Sequence, residues 1–421
     1  MTQPTLPSRP PRDTRVDIVR GWLQLTIFAS HAAGSWIGFW MIHGAWGLSD
    51  SSEQFVFLSG LMLGSVFALK TARQGWGAAS KDMLVRTWRL YRTNMIVFAL
   101  FGALAVAAGQ SGLFPGETER LGWGYALHRP VEGVLAGMTT FYQPNYMDIL
   151  PVFLWCMLAM PIFAALEARV GDWALVLPLG LYAAAHFLGL APPVLGTDTH
   201  GGFNPFAWQV LFLVGAWLGR RSLLYGRALP RWRWLTWVSI AIVIAALLLR
   251  LSWFGFLPFR LPFQEGEAIV GKDVLVLPRV LHAFALAWLV AVAVPRDARW
   301  MHMVAMRWLA AAGRFSLQVF CLGLFLSWGV TAAFRLWPGS VWWLDPLLMV
   351  VGCAILLRFA LWLDRGREPM ARHGVAVGSV SRWVGGQDDR ANRENAKHSM
   401  RQWRYPPLGG RTDTGKRLTR D

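Results

Sequence analysis

Five polar residues, Asp17, Arg20, Gln24, His31 and Ser35, interrupt an otherwise apolar stretch near the N-terminus. At about 100° of turn per helical residue, all five project within about 60° of arc. A polar stripe on an apolar helix must face a protein interior or a wet cavity. Arg20 and His31 are eleven residues apart, about 16 Å along a helix axis. An arginine suits an anionic group such as a phosphate. A histidine titrates near neutrality and can take a proton from a hydroxyl nucleophile. The spacing leaves structural alternatives open: Asp17 and Arg20 paired as a surface anchor, and His31 bonded to a neighbouring backbone group.

Further along, LSDSSEQFVFLSG places Asp50 and Glu53 at the start of an apolar run, as site residues or as helix caps. Ser59 and Gly60 in that run allow close helix approach. Asp148, in FYQPNYMDILPVF, sits where a polar loop meets an apolar helix, again as a cap or a site residue. Asn204, Trp208 and Gln209 occupy the equivalent junction in GGFNPFAWQVLFLVGAWLG, where Asn204 suits a cap. Arg279 and His282, three residues apart, share a helix face; Arg279 suits anchoring or pairing with an acid. Arg314 and Ser316 open a later apolar run, where Arg314 serves charge bias or meets phosphate. The sequence contains no Walker loop and no dinucleotide glycine fingerprint. It shows no metal-ligand spacing, so no metal is expected. Cys156, Cys321 and Cys353 each lie within apolar blocks and read as buried side chains.

These residues must be positioned by membrane helices. Of 421 residues, 55% are hydrophobic and only 15% charged, well below an ordinary soluble domain. The apolar residues cluster in blocks long enough to cross a bilayer, which takes roughly 20 residues. Hydropathy predicts an all-α protein of about ten spans, near 16–39, 54–70, 86–108, 146–168, 173–190, 206–220, 234–252, 274–294, 313–334 and 342–363. Pro151, Pro161 and Pro178 are expected to kink their helices. No cleavable leader is expected, because the Pro-rich start runs directly into the first span.

The net charge of +17 argues against nucleic acid once its location is considered. Arg9, Arg12 and Arg15 precede the first span. Lys70, Arg73, Lys81, Arg86 and Arg89 cluster in one connection; Arg220, Arg221, Arg227, Arg231 and Arg233 in another; Arg296, Arg299 and Arg307 in a third. Residues 40–53 and 191–205 contain no Lys or Arg. Alternation of this kind places both termini on the cytoplasmic side of a bacterial inner membrane. The larger outer loops are then 109–145, 191–205 and 253–273. Three regions follow: a cytoplasmic segment 1–12, a membrane domain 13–363, and a basic tail 364–421 whose composition reads as disordered and suited to anionic lipid heads.

The segments RVDIVRGWLQLTIFASH, SDSSEQFVFLSG, YQPNYMDILP, FNPFAWQVLFLVGAWLG and GRFSLQVFCLGL, in that order, resemble the OpgC family. That family is named for the succinylation of osmoregulated periplasmic glucans and is related to the acyltransferase-3 superfamily. The resemblance spans about 13–363. It implies O-acyl transfer across the membrane from a cytoplasmic coenzyme A thioester, succinyl-CoA by the family's name, to a periplasmic glucan hydroxyl. Membrane lipids and glucan biosynthesis proteins are the other expected partners. His31 carries over as base or acyl-handling residue, and Arg20 as its partner on the cofactor side, with Arg314 a further phosphate ligand. Asp17, Glu53, Ser59 and Asp148 match motif positions. A carrier or flippase that makes no covalent bond is the alternative from another class.

Overall fold

The computed structural model describes residues 13–196, 202–226, 228–263, 265–296 and 298–366. The N-terminal segment 1–12 with Arg9 and Arg12, the loop residue Arg227, and residues 367–421 of the basic tail lie outside the described residues. Among the described residues the fold is all-helical. The helices run α1 Thr14–His31, α2 Trp36–Met41, α3 Ser51–Gln110, α4 Glu117–Arg120, α5 Gly124–His128, α6 Pro130–Met138, α7 Ile149–Val170 and α8 Val176–Phe187. They continue α9 Pro205–Tyr225, α10 Arg233–Trp253, α11 Glu267–Val270, α12 Leu277–Ala293, α13 Val304–Arg314, α14 Ser316–Leu336 and α15 Val341–Arg365.

Five stretches are long and apolar enough to cross a membrane: Ser51–Gln110, Ile149–Phe187, Arg233–Trp253, Ser316–Leu336 and Pro338–Arg365. By length and composition these five stretches, with the shorter apolar helix Leu277–Ala293, do not confirm the expected count of about ten. The segments 54–70 and 86–108 belong to the single run α3, broken only at Gly75 (φ 85°, ψ 164°). The segments 146–168 and 173–190 are joined by a 3-10 turn, Gly171–Leu175. In α1 the charges of Arg15, Asp17 and Arg20 dilute the apolar run. In α10 and α15 only 17% and 22% of the apolar window is buried within the protein, so most of that surface faces outward, as lipid contact requires.

Two expectations about local structure are corrected. The first span does not continue to residue 39. Gly34 takes φ 93° and turns the chain, and α2 restarts with Ser35 as its N-cap. The Ser35 hydroxyl accepts from Gly38 N at 2.7 Å and donates to buried Asp345 at 2.6 Å. Ser35 therefore leaves the stripe, and His31 becomes the last residue of α1. Of the three prolines expected to kink helices, Pro151 and Pro178 fall in first turns, where a proline removes no needed helical donor.

Glycine permits two close helix crossings. A Cβ on Gly21 would overlap the Leu309 carbonyl, and one on Gly313 would overlap the Asp17 carbonyl, so α1 and α13 cross backbone to backbone. Between α3 and α9 the relation is reciprocal. Gly60 and Gly64 face Phe212 and Ala216, while Gly215 and Gly219 face Phe57 and Leu61. Both pairs have the four-residue spacing that lets membrane helices approach closely. Glu117, 1% exposed, gathers Arg120, Arg335 and the Trp328 indole N–H (2.8 Å), and so ties the 111–148 segment to α14.

Candidate active site

The polar stripe of α1 reaches two separate neighbourhoods. At the C-terminal end, His31 Nδ1 lies 2.7 Å from the Ile27 carbonyl. A carbonyl only accepts, so the neutral ring has its proton on Nδ1 and leaves Nε2 as the basic nitrogen. The backbone bond thus orients the ring. Tyr146 packs its ring 5.2 Å from that of His31, and its hydroxyl donates to the His31 carbonyl at 3.1 Å. Tyr146 holds this position with φ 74°, the left-handed region that side chains other than glycine rarely adopt.

The start of α3 closes on the same end. Thr26 of α1 and Ser51 share a 2.7 Å hydroxyl contact. Asp50 and Glu53 form a capping box: Asp50 accepts from Ser51 N at 2.6 Å, and Glu53 accepts from Asp50 N at 2.9 Å. Each carboxylate also meets a distant cation. Lys272 donates to Asp50 at 3.1 Å, and Arg279 donates to Glu53 at 2.6 Å through Nε and pairs again through Nη2. Glu53 is fully buried and Arg279 is 5% exposed. His282, one turn on in α12, accepts from the Ser49 backbone at 3.1 Å and contacts its hydroxyl at 2.8 Å. Burial opposes ionisation of Asp50, yet Lys272, His43 and the Ser51 N–H outweigh it and hold its carboxyl well below the ordinary value. Burial likewise opposes the Lys272 charge, and Asp50 with Glu53 raises it above the usual lysine range. The pair is ionised at neutral pH.

Asp148 opens α7, but its side chain does not cap that helix. Its charge, with those of Asp50 and Lys272, reaches the His31 imidazole. Gly202 packs against the Asp148 Cβ, so the chain entering α9 lies beside this residue. The same chain fixes Lys272: Asn204 N donates to the Asp273 carbonyl at 2.8 Å, and the Trp208 indole donates to the Lys272 carbonyl at 3.0 Å. Asn204 also caps α9 through Phe206 N. The FNPFAW segment therefore positions a cation that lies 64 residues away from Trp208.

Arg20 belongs to the other end. Its guanidinium donates to Ser316 at 2.6 Å and to the Met62 sulfur at 2.8 Å, and it lies 5.2 Å over the Phe55 ring. Asp17, 2% exposed, is close by in α1, where its carbonyl meets Gly313. Arg314 ends α13 just before Ser316, but its guanidinium is clamped by Asp364, at 3.2 and 2.5 Å. An anion would have to displace Asp364 to use it. Between the two ends lies Gln24, 2% exposed, whose amide N and O have no hydrogen-bond partner among the described residues.

His31, Glu53 and Asp148 are therefore assembled at one end, and Asp17, Arg20 and Arg314 at the other. Reading the sequence alone misses Lys272 and Tyr146, which complete the His31 end, and Arg250 of α10, whose Nε donates to the Gly47 carbonyl at 2.9 Å ahead of the α3 cap. A signal for Lys272 and Arg250 exists: a base in or next to a loop expected on the outer side runs against the charge alternation. Tyr146 has no comparable signal.

The family described as OpgC protein matches residues 12–368 of the chain. No curated protein and no solved structure matches it.

Proposed function

The chain belongs to the OpgC family, and from that premise we propose that it is a membrane O-acyltransferase acting on a periplasmic glucan. The observation that carries the reading is His31: its Nδ1 is committed to the Ile27 carbonyl, leaving Nε2 as the ring's basic nitrogen. In the proposed reaction Nε2 takes the proton of a glucan hydroxyl. The sugar oxygen attacks the thioester carbonyl, the C–S bond breaks, and the departing thiolate recovers the proton. The products are a glucan ester and a free thiol. Asp148 stabilises the transient imidazolium. Arg20, about 16 Å away along α1, meets the phosphates of a coenzyme A donor. Succinyl is the proposed acyl group.

The arrangement proposed in the inner membrane has ten crossings, with α3 crossing twice on either side of Gly75 and both termini cytoplasmic. Donor and acceptor then approach opposite ends of α1. Membrane lipids, and glucan biosynthesis proteins, are its other proposed partners.

The deciding experiment is mass spectrometry of periplasmic glucans from a deletion strain complemented with wild type or His31→Ala. A succinyl-sized mass restored only by wild type supports the reading; restoration by an equally expressed His31→Ala sinks the role of His31. A carrier that moves a glycan or acyl group without covalent transfer is the second reading, and the unpartnered amide of Gln24 inside the stripe favours it. Labelled acyl groups recovered covalently in polysaccharide exclude that carrier.

A further inference from the structure

Beside the His31 end lies a cavity of about 160 Å³ whose lining combines an apolar wall with cations. Phe39, Ile42 and Leu48 supply the wall; Arg250, Lys272 and Arg279 supply the charge, with Asp50 at its edge. Since one water occupies about 30 Å³ of liquid, the space suits a chain of a few carbons.

The charge balance is the informative feature. Lys272 is answered by Asp50 and Arg279 by Glu53, both carboxylates at the start of α3. Arg250 is answered at 2.8 Å by Glu265, which stands on the loop between α10 and α11 with its side chain 50% exposed. The Arg250 side chain is only 14% exposed, and its Nε is fixed by the Gly47 carbonyl at 2.9 Å. Two of the three carboxylates are thus built into a helix start, whereas the third reaches in from an exposed loop. Without it the three cations lining the cavity are answered by two carboxylates, Asp50 in the lining and Glu53 behind Arg279, and the set is one carboxylate short.

We propose that this cavity binds a short carbon chain ending in a carboxylate, seated on Arg250, with Glu265 as the resident stand-in that the ligand displaces. The chain lies along Phe39, Ile42 and Leu48. This deepens the acyl-transfer reading and rests on it for the ligand's role: the cavity receives the free end of a dicarboxylic acyl group whose other end is transferred near His31.

The test is calorimetric titration of the full chain in detergent with monomethyl succinate, which has one free carboxylate, and with dimethyl succinate, which has none. Removing the competing carboxylate in Glu265→Gln is expected to tighten monomethyl succinate binding at least about tenfold over wild type, while dimethyl succinate shows no saturable binding. Adding Arg250→Ala to Glu265→Gln should abolish the gain. If that double variant does not fold, Arg250→Gln in the same background decides. Equal binding of the two esters, no tightening in Glu265→Gln, or no loss on changing Arg250 overturns the proposal. Tighter binding of glucuronate than of monomethyl succinate overturns the assignment to an aliphatic chain. Binding needs neither donor nor glucan, so the two readings fail separately. Binding without acyl transfer would refute only the catalytic reading; acyl transfer without binding would refute only the site.

Discussion

His31 bonds a backbone carbonyl, and that bond sets which nitrogen remains basic. His31→Ala is expected to lower acyl transfer by about 10²–10⁴-fold, the usual worth of a general base, with expression unchanged; labelled acyl incorporation measures it. Tyr146→Phe keeps the ring beside the imidazole and removes the hydroxyl that makes the 3.1 Å bond to the His31 carbonyl and also bonds Thr331. A loss of about 1 kcal/mol follows, or roughly fivefold in rate if orientation is what the bond provides. Tyr146→Ala should fall much further in the same assay. The residues legible from sequence were those whose cost in a membrane is intrinsic: Arg20 and His31 stand out because a polar group on an apolar helix demands a reason. Lys272 and Tyr146 were not legible. Their importance comes from partners 222 and 115 residues distant, which no local spacing encodes.

Helix positions were legible where hydropathy alone decides them, as in α10 at Arg233–Trp253 against an expected 234–252. They were not legible where a polar contact extends or ends a helix. α9 continues past its apolar window to Tyr225 because Arg220 pairs with Glu167 and Arg221 with Asp172. α1 stops early because Gly34, a single residue in an apolar run, takes a left-handed turn. Glu117 offers a test at this scale. Burial would raise its carboxyl, but hydrogen bonds from Arg120, Trp328 and Arg335 hold it down at about 2, against 4.5 for an unperturbed glutamate. Since the folded value is depressed, its stabilisation is fully present above about pH 4.5 and is lost as pH falls towards 2. Glu117→Gln should lower the melting temperature at neutral pH, equivalent to about 1–3 kcal/mol, since both arginine partners remain partly exposed. The difference from wild type should shrink in acid. At the crossing of α1 and α13, Gly21→Ala puts a methyl into the Leu309 carbonyl. A destabilisation of about 1–3 kcal/mol is expected, read in thermal melts of the purified protein.

For the whole molecule, the outward faces of α10 and α15 are dense in large apolar side chains, including Trp237, Ile244, Trp342 and Val350. Such a surface suits contact with lipid. Ile244→Arg is expected to cost about 2.5–3.5 kcal/mol on insertion scales, seen as reduced membrane-integrated protein, whereas Ile244→Leu should be neutral. The proposed orientation predicts that single cysteines at Leu113 and Glu265 react with an impermeant thiol reagent added outside spheroplasts. A cysteine at Arg73 should react only after lysis. The reverse pattern would invert the proposed topology.

The buried pair of Glu53 and Arg279 carries a genetic consequence. One carboxylate closes the cap of α3 and holds a guanidinium from α12, so neither residue is free to vary by itself. Losing either partner strands a charge, and a single change at this locus is therefore a dead end for drift. Descendants of this sequence can cross it only by changing both positions together, and a screen of double variants at 53 and 279 should recover survivors that neither single library contains.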